Sequence, residues 1–207
     1  ETERMGFLGV WHRFNPRLDI DVRHESGSLN DNNRGNAMKT INGGHDRTRQ
    51  RLTLRARPGD GLNVSLKLAR TDTDRQNISV QDERKSAGLY ATWAPTKARY
   101  TVGAGYSHMT GDIRLYGSSY SDKVRTISLN GGYELSKKLR AEVNLAQTQS
   151  GGVTDLDHRT GELRLRWSLK HGRDATLGYA ERAYENHDLA TENFTNRLVF
   201  LSYGLSL

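Results

Sequence analysis

The sequence predicts an all-β protein made of long antiparallel strands joined in sequence order, and three observations support this fold class. Apolar and polar residues alternate with a period of two, first in LDIDVRH at residues 18–24 and then repeatedly to the end of the chain. Most alternating segments are about 9–13 residues long. Short turns recur every 35–43 residues, so each period accommodates one hairpin.

Eleven strands follow from this pattern, with a turn or polar segment after each. The three prolines all fall in short turns, where the missing N–H does not interrupt a strand ladder. Longer polar segments, rich in Gly, Ser, Asn, Asp and Thr, alternate with the short turns and cover 26–46, 72–85, 110–122, 150–159 and 185–195. The predicted strands are 5–13, 17–25, 47–57, 62–71, 86–94, 98–109, 123–135, 139–149, 160–170, 175–184 and 196–207.

The length of these strands favours a membrane protein. A soluble strand is usually about 5–6 residues long, whereas a tilted strand that crosses a bilayer needs about 9–11. The mean hydropathy of -0.78 agrees with this assignment, because only every second residue of such a strand must be apolar. Short turns on one side and long loops on the other are typical of outer-membrane barrels. The sequence therefore predicts a transmembrane antiparallel up-and-down β-barrel with about 10–12 strands in this chain.

Aromatic residues lie near the short-turn end of several strands. Each shares the parity of the apolar residues on its strand, as expected for side chains that meet lipid headgroups. The predicted aromatic girdle consists of Trp11, Trp93, Tyr133, Trp167 and Tyr203.

The opposite parity is polar and mostly basic, which predicts a wet, positively charged lumen. A guanidinium track would attract anionic solutes, whereas cross-strand pairing with carboxylates would instead neutralise the charges and brace the wall. The sequence leaves both interpretations open. The predicted basic lumen residues are Arg47, Arg49, Arg51, Arg55, Arg57, Lys67, Arg164 and Arg166, and the acidic ones are Asp19, Asp21, Glu25, Glu142 and Glu162.

We expect residues 1–207 to form a single barrel domain or a fragment of one. Eleven strands are an odd number, which would force the first and last strands into a parallel pair on closure. Either residues 1–16 are a periplasmic or plugging segment and ten strands close, or the first strand is real and the chain is the C-terminal part of a larger barrel. The alternation from Arg197 to Leu207 resembles the C-terminal insertion signal of outer-membrane barrels, although it ends in Leu.

Enzymatic chemistry is not predicted. The seven His lie on different segments, without HExxH spacing and without any Cys, so we expect no metal and no cofactor. Tyr106-Ser107-His108-Met109 lacks the Ser-Asn-Gly that follows in barrel lipases, and the loop with Asp155, Asp157 and His158 imitates an omptin-type Asp–His couple only by spacing. Nucleic-acid binding is not expected either, because strand alternation would enclose the basic residues despite the net charge of +7.

Two resemblances are present. The hairpins RLTLRARPGDGLNVSLKLARTDTDRQ and GLYATWAPTKARYTVGAGYSHMTGD are similar to those of the porins in porin–cytochrome complexes, which implies a barrel that sheathes an electron carrier. LDIDVRHESGS, followed by an Arg-rich strand, resembles the oligogalacturonate-specific small porins, which implies a basic track for acidic sugars.

These observations predict a multi-pass barrel of the outer membrane that acts as a porin or channel with a basic lumen. The expected partners are the lipid bilayer, an anionic solute, and a periplasmic or lumen-bound protein. The alternatives are a scaffold barrel of a porin–cytochrome complex and a soluble basic β-protein.

Overall fold

The computed structural model describes residues 2–30, 45–75, 80–152, 155–169 and 173–205. The predicted turn residues 170–172, most of the predicted loop 26–46 and the terminal Leu207 lie outside the described residues. The strands are β1 (Thr2–Asn15), β2 (Leu18–Asn30), β3 (His45–Gly59), β4 (Leu62–Arg75), β5 (Val80–Trp93), β6 (Tyr100–Leu115), β7 (Ser118–Glu134), β8 (Leu139–Gly151), β9 (Leu156–Ser168), β10 (Arg173–Asn186) and β11 (Phe194–Leu205), with a 3₁₀ turn at Ala190–Glu192.

The strands are hydrogen-bonded in sequence order from β1 to β11. Antiparallel register is seen for β1 with β2, β2 with β3, β8 with β9, and β9 and β11 on either side of β10. The predicted all-β, up-and-down arrangement is confirmed. Residues 2–15 form a strand that pairs with β2.

The prediction of a long polar loop at residues 110–122 is wrong. Strands β6 and β7 continue through it and are joined by only two residues, Tyr116 and Gly117. Both take positive φ values, 48° and 84°, which are the backbone signs of the tight hairpin turns that match strand twist. Long alternating strands therefore extend past the length that a bilayer requires.

The described residues contain no buried apolar core. Large apolar side chains such as Leu129, Leu163 and Leu201 are 51%, 56% and 78% exposed. Exposed apolar surface of this extent is stable only beside an apolar surrounding, because its hydration is unfavourable. None of the described residues belongs to a helix long and apolar enough to cross a membrane.

The chain divides into two compact units. The first, called the N-terminal unit here, is drawn from 1–56, 65–89 and 107–124. The second, called the C-terminal unit, is drawn from 57–64, 90–106 and 125–207. Each unit carries part of the predicted polar and apolar pattern.

Candidate solute-contacting faces

In the N-terminal unit, the register of β2 against β3 brings acidic and basic side chains to one face. Asp19 lies opposite Arg55, and Glu25 lies opposite Arg49. Directly opposed residues in an antiparallel pair share a face, and every second residue of each strand joins them. We call the resulting set the arginine face; it comprises Asp19, Asp21, Arg23, Glu25, Arg47, Arg49, Arg51 and Arg55.

Ion pairs hold the carboxylates of the arginine face. Arg55 Nη1 donates to Asp19 Oδ1 at 3.1 Å, and Asp19 is only 1% exposed. Asp21 accepts from Arg23 Nε at 3.2 Å and lies 4.0 Å from Arg55 Nη2. Glu25 is paired with Arg51. This region brings together the carboxylates and guanidinium groups that the sequence analysis considered as a wall brace.

Arg47 and Arg49 lie at the end of the arginine face where β3 begins. Within the described residues neither has a carboxylate partner, because the three acids already pair with Arg23, Arg51 and Arg55. The Nε atom of Arg49 is buried and has no hydrogen-bond acceptor in the part of the chain that the structure describes. A buried donor without an acceptor is unfavourable by about 1–3 kcal/mol, so this position favours a visiting anion.

Strand β1 continues the arginine face, and this corrects the prediction for Trp11. The register pairs Trp11 with Asp21 and Phe7 with Glu25, so these aromatic side chains share the polar face. The Arg13 guanidinium lies 5.1 Å from the Trp11 ring centroid, as a cation–π contact. Trp11 therefore does not lie with the apolar residues Leu8 and Val10, which occupy the opposite face of β1.

The other predicted basic residues of this region are placed separately. Arg57 ends the alternating series of β3 and belongs to the C-terminal unit, while Lys67 lies on β4 in the N-terminal unit. Both make polar interactions.

In the C-terminal unit, β8 and β9 bring four predicted lumen residues to one face. Glu142 lies opposite Arg164, and Arg140 lies opposite Arg166. Arg164 Nε lies 2.8 Å from Glu162 Oε1, and Arg166 Nε lies 3.4 Å from Asp174 Oδ2. These arginines are thus paired with carboxylates, in contrast to Arg47 and Arg49.

The same face of the C-terminal unit contains an open cavity of about 590 Å³. Neutral hydrogen-bonding groups from β5, β7, β8 and β9 form much of its lining, and sequence reasoning missed them because they carry no charge pattern. Gly103 and Gly105 are buried where an added Cβ would meet the side chains of Asn130, Ser128 and Tyr90. The neutral lining residues include Thr92, Ser128, Asn130, Asn144 and Thr160, beside Glu162, Arg164 and Arg182.

The opposite face of the C-terminal unit is apolar near the short turns, and this part carries the other four predicted aromatics. Trp167 and Tyr203 both lie opposite Ala175, so they share a face. Trp93 contacts Tyr100 edge-on, with ring centroids 5.5 Å apart. The aromatic side chains on this face, Trp93, Tyr133, Trp167 and Tyr203, are 46–58% exposed.

Asp157 and His158 do not form a couple. They are neighbours on β9, so their side chains point to opposite faces of the strand. Asp157 instead accepts from Arg159 at 3.0 Å and from Gln147 at 3.1 and 3.2 Å. Among the described residues no group of three or more His, Asp or Glu could hold a metal ion.

Comparison with known proteins gives a fold but no family. No protein-family model matches the sequence, and no curated protein matches it. The structure is similar to the outer-membrane channel DcaP of Acinetobacter baumannii, with a TM-score of 0.71, 10% identity, and coverage of 95% of this chain and 60% of that one.

Two further solved structures agree. The outer-membrane protein OmpT of Vibrio cholerae has a TM-score of 0.53 and 10% identity, with 89% of this chain and 61% of that one covered. The alcaligin outer-membrane receptor FauA of Bordetella pertussis has a TM-score of 0.57 and 9% identity, with 97% and 37% covered.

These neighbours define the class of fold. The chain has the fold of the porin-like β-barrels of the outer membrane, as its strand length, alternation and exposed apolar residues predicted. It spans less than two thirds of the length of these three structures.

Proposed function

We propose that this chain forms the wall of a non-enzymatic outer-membrane channel and that the arginine face lines a water-filled pore preferring anionic solutes. The observation that carries this proposal is the surplus of guanidinium groups at Arg47 and Arg49. Paired arginines elsewhere on the face are neutralised locally, whereas these two have no carboxylate partner among the described residues. Fixed positive charge in a narrow aqueous path raises the local concentration of anions.

Ion selectivity tests this proposal directly. Purified protein in a planar bilayer under a potassium chloride gradient should give a reversal potential shifted toward the equilibrium potential of chloride. The double variant Arg47→Gln and Arg49→Gln should move that potential toward the equilibrium potential of potassium. Both changes remove positive charge without breaking an ion pair seen among the described residues. Arg17→Gln, in the exposed turn between β1 and β2, is the matched control and should leave the potential unchanged.

An unchanged reversal potential in the double variant would contradict a pore lined by these arginines. Formation of no conductance at all, by protein shown to be folded, would contradict the channel itself.

The non-enzymatic part of the proposal is supported by the separation of Asp157 from His158, whose side chains point to opposite faces of β9. A nucleophile and its base must lie within hydrogen-bond reach.

A second candidate function is a sheath around a protein partner. It is supported by β11, where Leu198 and Phe200 lie opposite Ala180 and Gly178 and therefore share the face of Arg164. Leu198 is 56% exposed, which suits a covered surface better than a water-filled one. The native mass of the complex extracted from outer membranes in mild detergent separates the two: a mass with further polypeptides favours the sheath, and a mass of this protein alone or its multiples favours the channel.

A further inference from the structure

We propose that the arginine face contains a binding site for amphipathic anions, meaning a carboxylate or sulfonate attached to an apolar group. The site rests on the proposed function in one respect, because solutes must be able to reach this face. It goes further by naming which anions are held there and by which residues.

The site is an open cavity of about 490 Å³ between β1, β2 and β3 of the N-terminal unit. A volume of a few hundred Å³ suits a small organic ligand. Apolar side chains form one side of it and arginines the other. The residues that carry the inference are Met5, Phe7, Glu25, Gly27, Arg47 and Arg49.

Two rows across the three strands build this division. In the first row, Met5 lies opposite Gly27, which lies opposite Arg47. In the second row, Phe7 lies opposite Glu25, which lies opposite Arg49. An apolar side chain on β1 and a guanidinium on β3 thus face each other across one intervening strand, about 10 Å away in ladder spacing.

Gly27 lets the Met5 side chain pack closely over β2. A Cβ added at this position would lie 2.9 Å from Met5 Cγ and 2.9 Å from the Arg4 carbonyl oxygen. Any larger residue would therefore displace Met5 or the β1 backbone. The glycine thus holds the apolar side of the cavity in the row that leads to Arg47.

The anionic group has a specific place. Glu25 is paired with Arg51, so it does not neutralise Arg49 across the row. The buried Nε of Arg49 has no acceptor among the described residues, and a carboxylate or sulfonate oxygen would supply one. Planar guanidinium donors match such oxygens in geometry.

The apolar group is what distinguishes this site from a simple anion track. Met5 and Phe7 are 71% and 86% exposed on a face that also carries the charged side chains of β2 and β3. A small hydrophilic anion would leave both in contact with water. An aryl or alkyl chain attached to the anion would cover them, and burying this area is favourable.

Three probes test separately whether binding requires the apolar group and whether it requires the anionic group. Phenylbutyrate carries both the ring and the carboxylate, butyrate lacks the ring, and phenylbutanol lacks the charge. Titration calorimetry on the protein in zwitterionic lipid nanodiscs should show phenylbutyrate binding at least about tenfold more tightly than either of the others. Phenylbutyrate should also block the channel current partially, and it should do so more strongly than butyrate.

Substitutions then locate the site. Phe7→Ser should weaken phenylbutyrate binding while leaving butyrate unaffected, and Arg49→Gln should weaken both, by about tenfold for phenylbutyrate. Leu8→Ser is the matched control for Phe7→Ser, because Leu8 is also exposed but lies on the opposite face of β1. Arg17→Gln is the control for Arg49→Gln. Resistance of each variant to SDS before boiling verifies folding.

The outcomes are decisive in either direction. Equal affinity for phenylbutyrate and butyrate, or equal effects of Phe7→Ser and Leu8→Ser, would overturn the amphipathic site while leaving anion selectivity intact. Specific phenylbutyrate binding without any conductance would support the site and contradict the channel. Tight capture of a polypeptide that blocks phenylbutyrate from this face in the native complex would assign the surface to a protein partner and overturn the small-ligand site.

Discussion

At the scale of single residues, the arginines of β3 have two roles: some brace the wall through ion pairs and others remain available to an anion. Arg55 is held by Asp19, a carboxylate with 1% exposure, and therefore acts as a brace between β2 and β3. Arg49 lies on the same face and strand but has no carboxylate of its own among the described residues. The distinction comes from the arginine that each acid of β2 contacts, because Glu25 lies opposite Arg49 but pairs with Arg51.

The Asp19–Arg55 pair should contribute measurably to stability. Asp19→Asn should lower the free energy of unfolding by about 1–3 kcal/mol, because a buried acceptor of a charged donor is weakened. Arg55→Gln and the double variant complete a double-mutant cycle, measured by urea unfolding in detergent micelles. We expect the loss of unfolding free energy in the double variant to be clearly smaller than the sum of the losses in the two single variants. Strict additivity would show that the two groups do not interact.

Asp60 predicts a pH-dependent contact between two short turns of the C-terminal unit. The Thr96 hydroxyl donates to Asp60 Oδ1 at 2.5 Å and the Thr96 amide donates at 3.2 Å. These two hydrogen bonds, the hydroxyl first, lower the pKa of Asp60. A carboxylate with a lowered folded-state pKa stabilises the fold above its ordinary pKa of about 3.9, and this contribution is lost as the pH falls through the lower value.

Thr96→Val tests this contact. Its thermal unfolding midpoint should lie below that of the unchanged protein at neutral pH. The gap should begin to narrow below about pH 4 and close as the pH falls through the lowered pKa of Asp60, where the folded carboxyl is protonated. Thr126→Val is the control, because Thr126 and Thr148 form a neutral hydrogen bond of 3.1 Å whose effect should not vary with pH. A Thr96→Val gap that stays constant down to acidic pH would refute the role of Asp60 ionisation.

At the scale of strands, the period-two pattern predicted all eleven elements because one face of most strands is apolar and the other polar. Strand β1, like β11, is an exception. Met5 and Phe7 on one parity and Leu8 and Val10 on the other are all apolar, so the sequence alone does not reveal which face Trp11 joins. Only the pairing of Trp11 with Asp21 decides it.

The β6–β7 hairpin shows a second limit of sequence reasoning. A Tyr-Gly turn gives a weaker signal than Asn-Gly or Asp-Gly, so the polar stretch around it was interpreted as a loop. Tyr116 has a φ of 48°, a conformation that Asn adopts more readily than Tyr.

Tyr116→Asn should therefore stabilise this hairpin, by about 0.5–1 kcal/mol. Slower hydrogen exchange of the β6 and β7 amides beside the turn would show it. Gly117→Val, at a φ of 84°, is the opposite change and should accelerate exchange at the same amides. If both variants exchange alike, backbone strain at the turn does not control the hairpin.

At the scale of the whole molecule, the charge pattern predicted which residues share a face but not which arginines remain unpaired. Arg49 and Arg55 look equivalent in the sequence, yet Arg55 lies 3.1 Å from Asp19 on the neighbouring strand while Arg49 has no carboxylate partner among the described residues. Side-chain pairing depends on register and on the reach of each rotamer, and a single sequence specifies neither.

The two faces predict opposite environments for the three tryptophans. Trp93 and Trp167 lie on the apolar face of the C-terminal unit, whereas Trp11 lies opposite Asp21 on the arginine face. In variants that each retain one Trp and carry Phe at the other two positions, brominated phospholipids should quench Trp93 and Trp167 strongly. Aqueous iodide should instead quench Trp11 more strongly than either.

Bromine at two depths in the acyl chain serves as the control, because residues near the headgroups should be quenched more by the shallow label. Quenching of Trp11 by brominated lipid as strong as that of Trp167 would place the β1 aromatic residues against lipid. Phe7 shares the face of Trp11, so this result would also remove the apolar side of the proposed amphipathic site from the solute path.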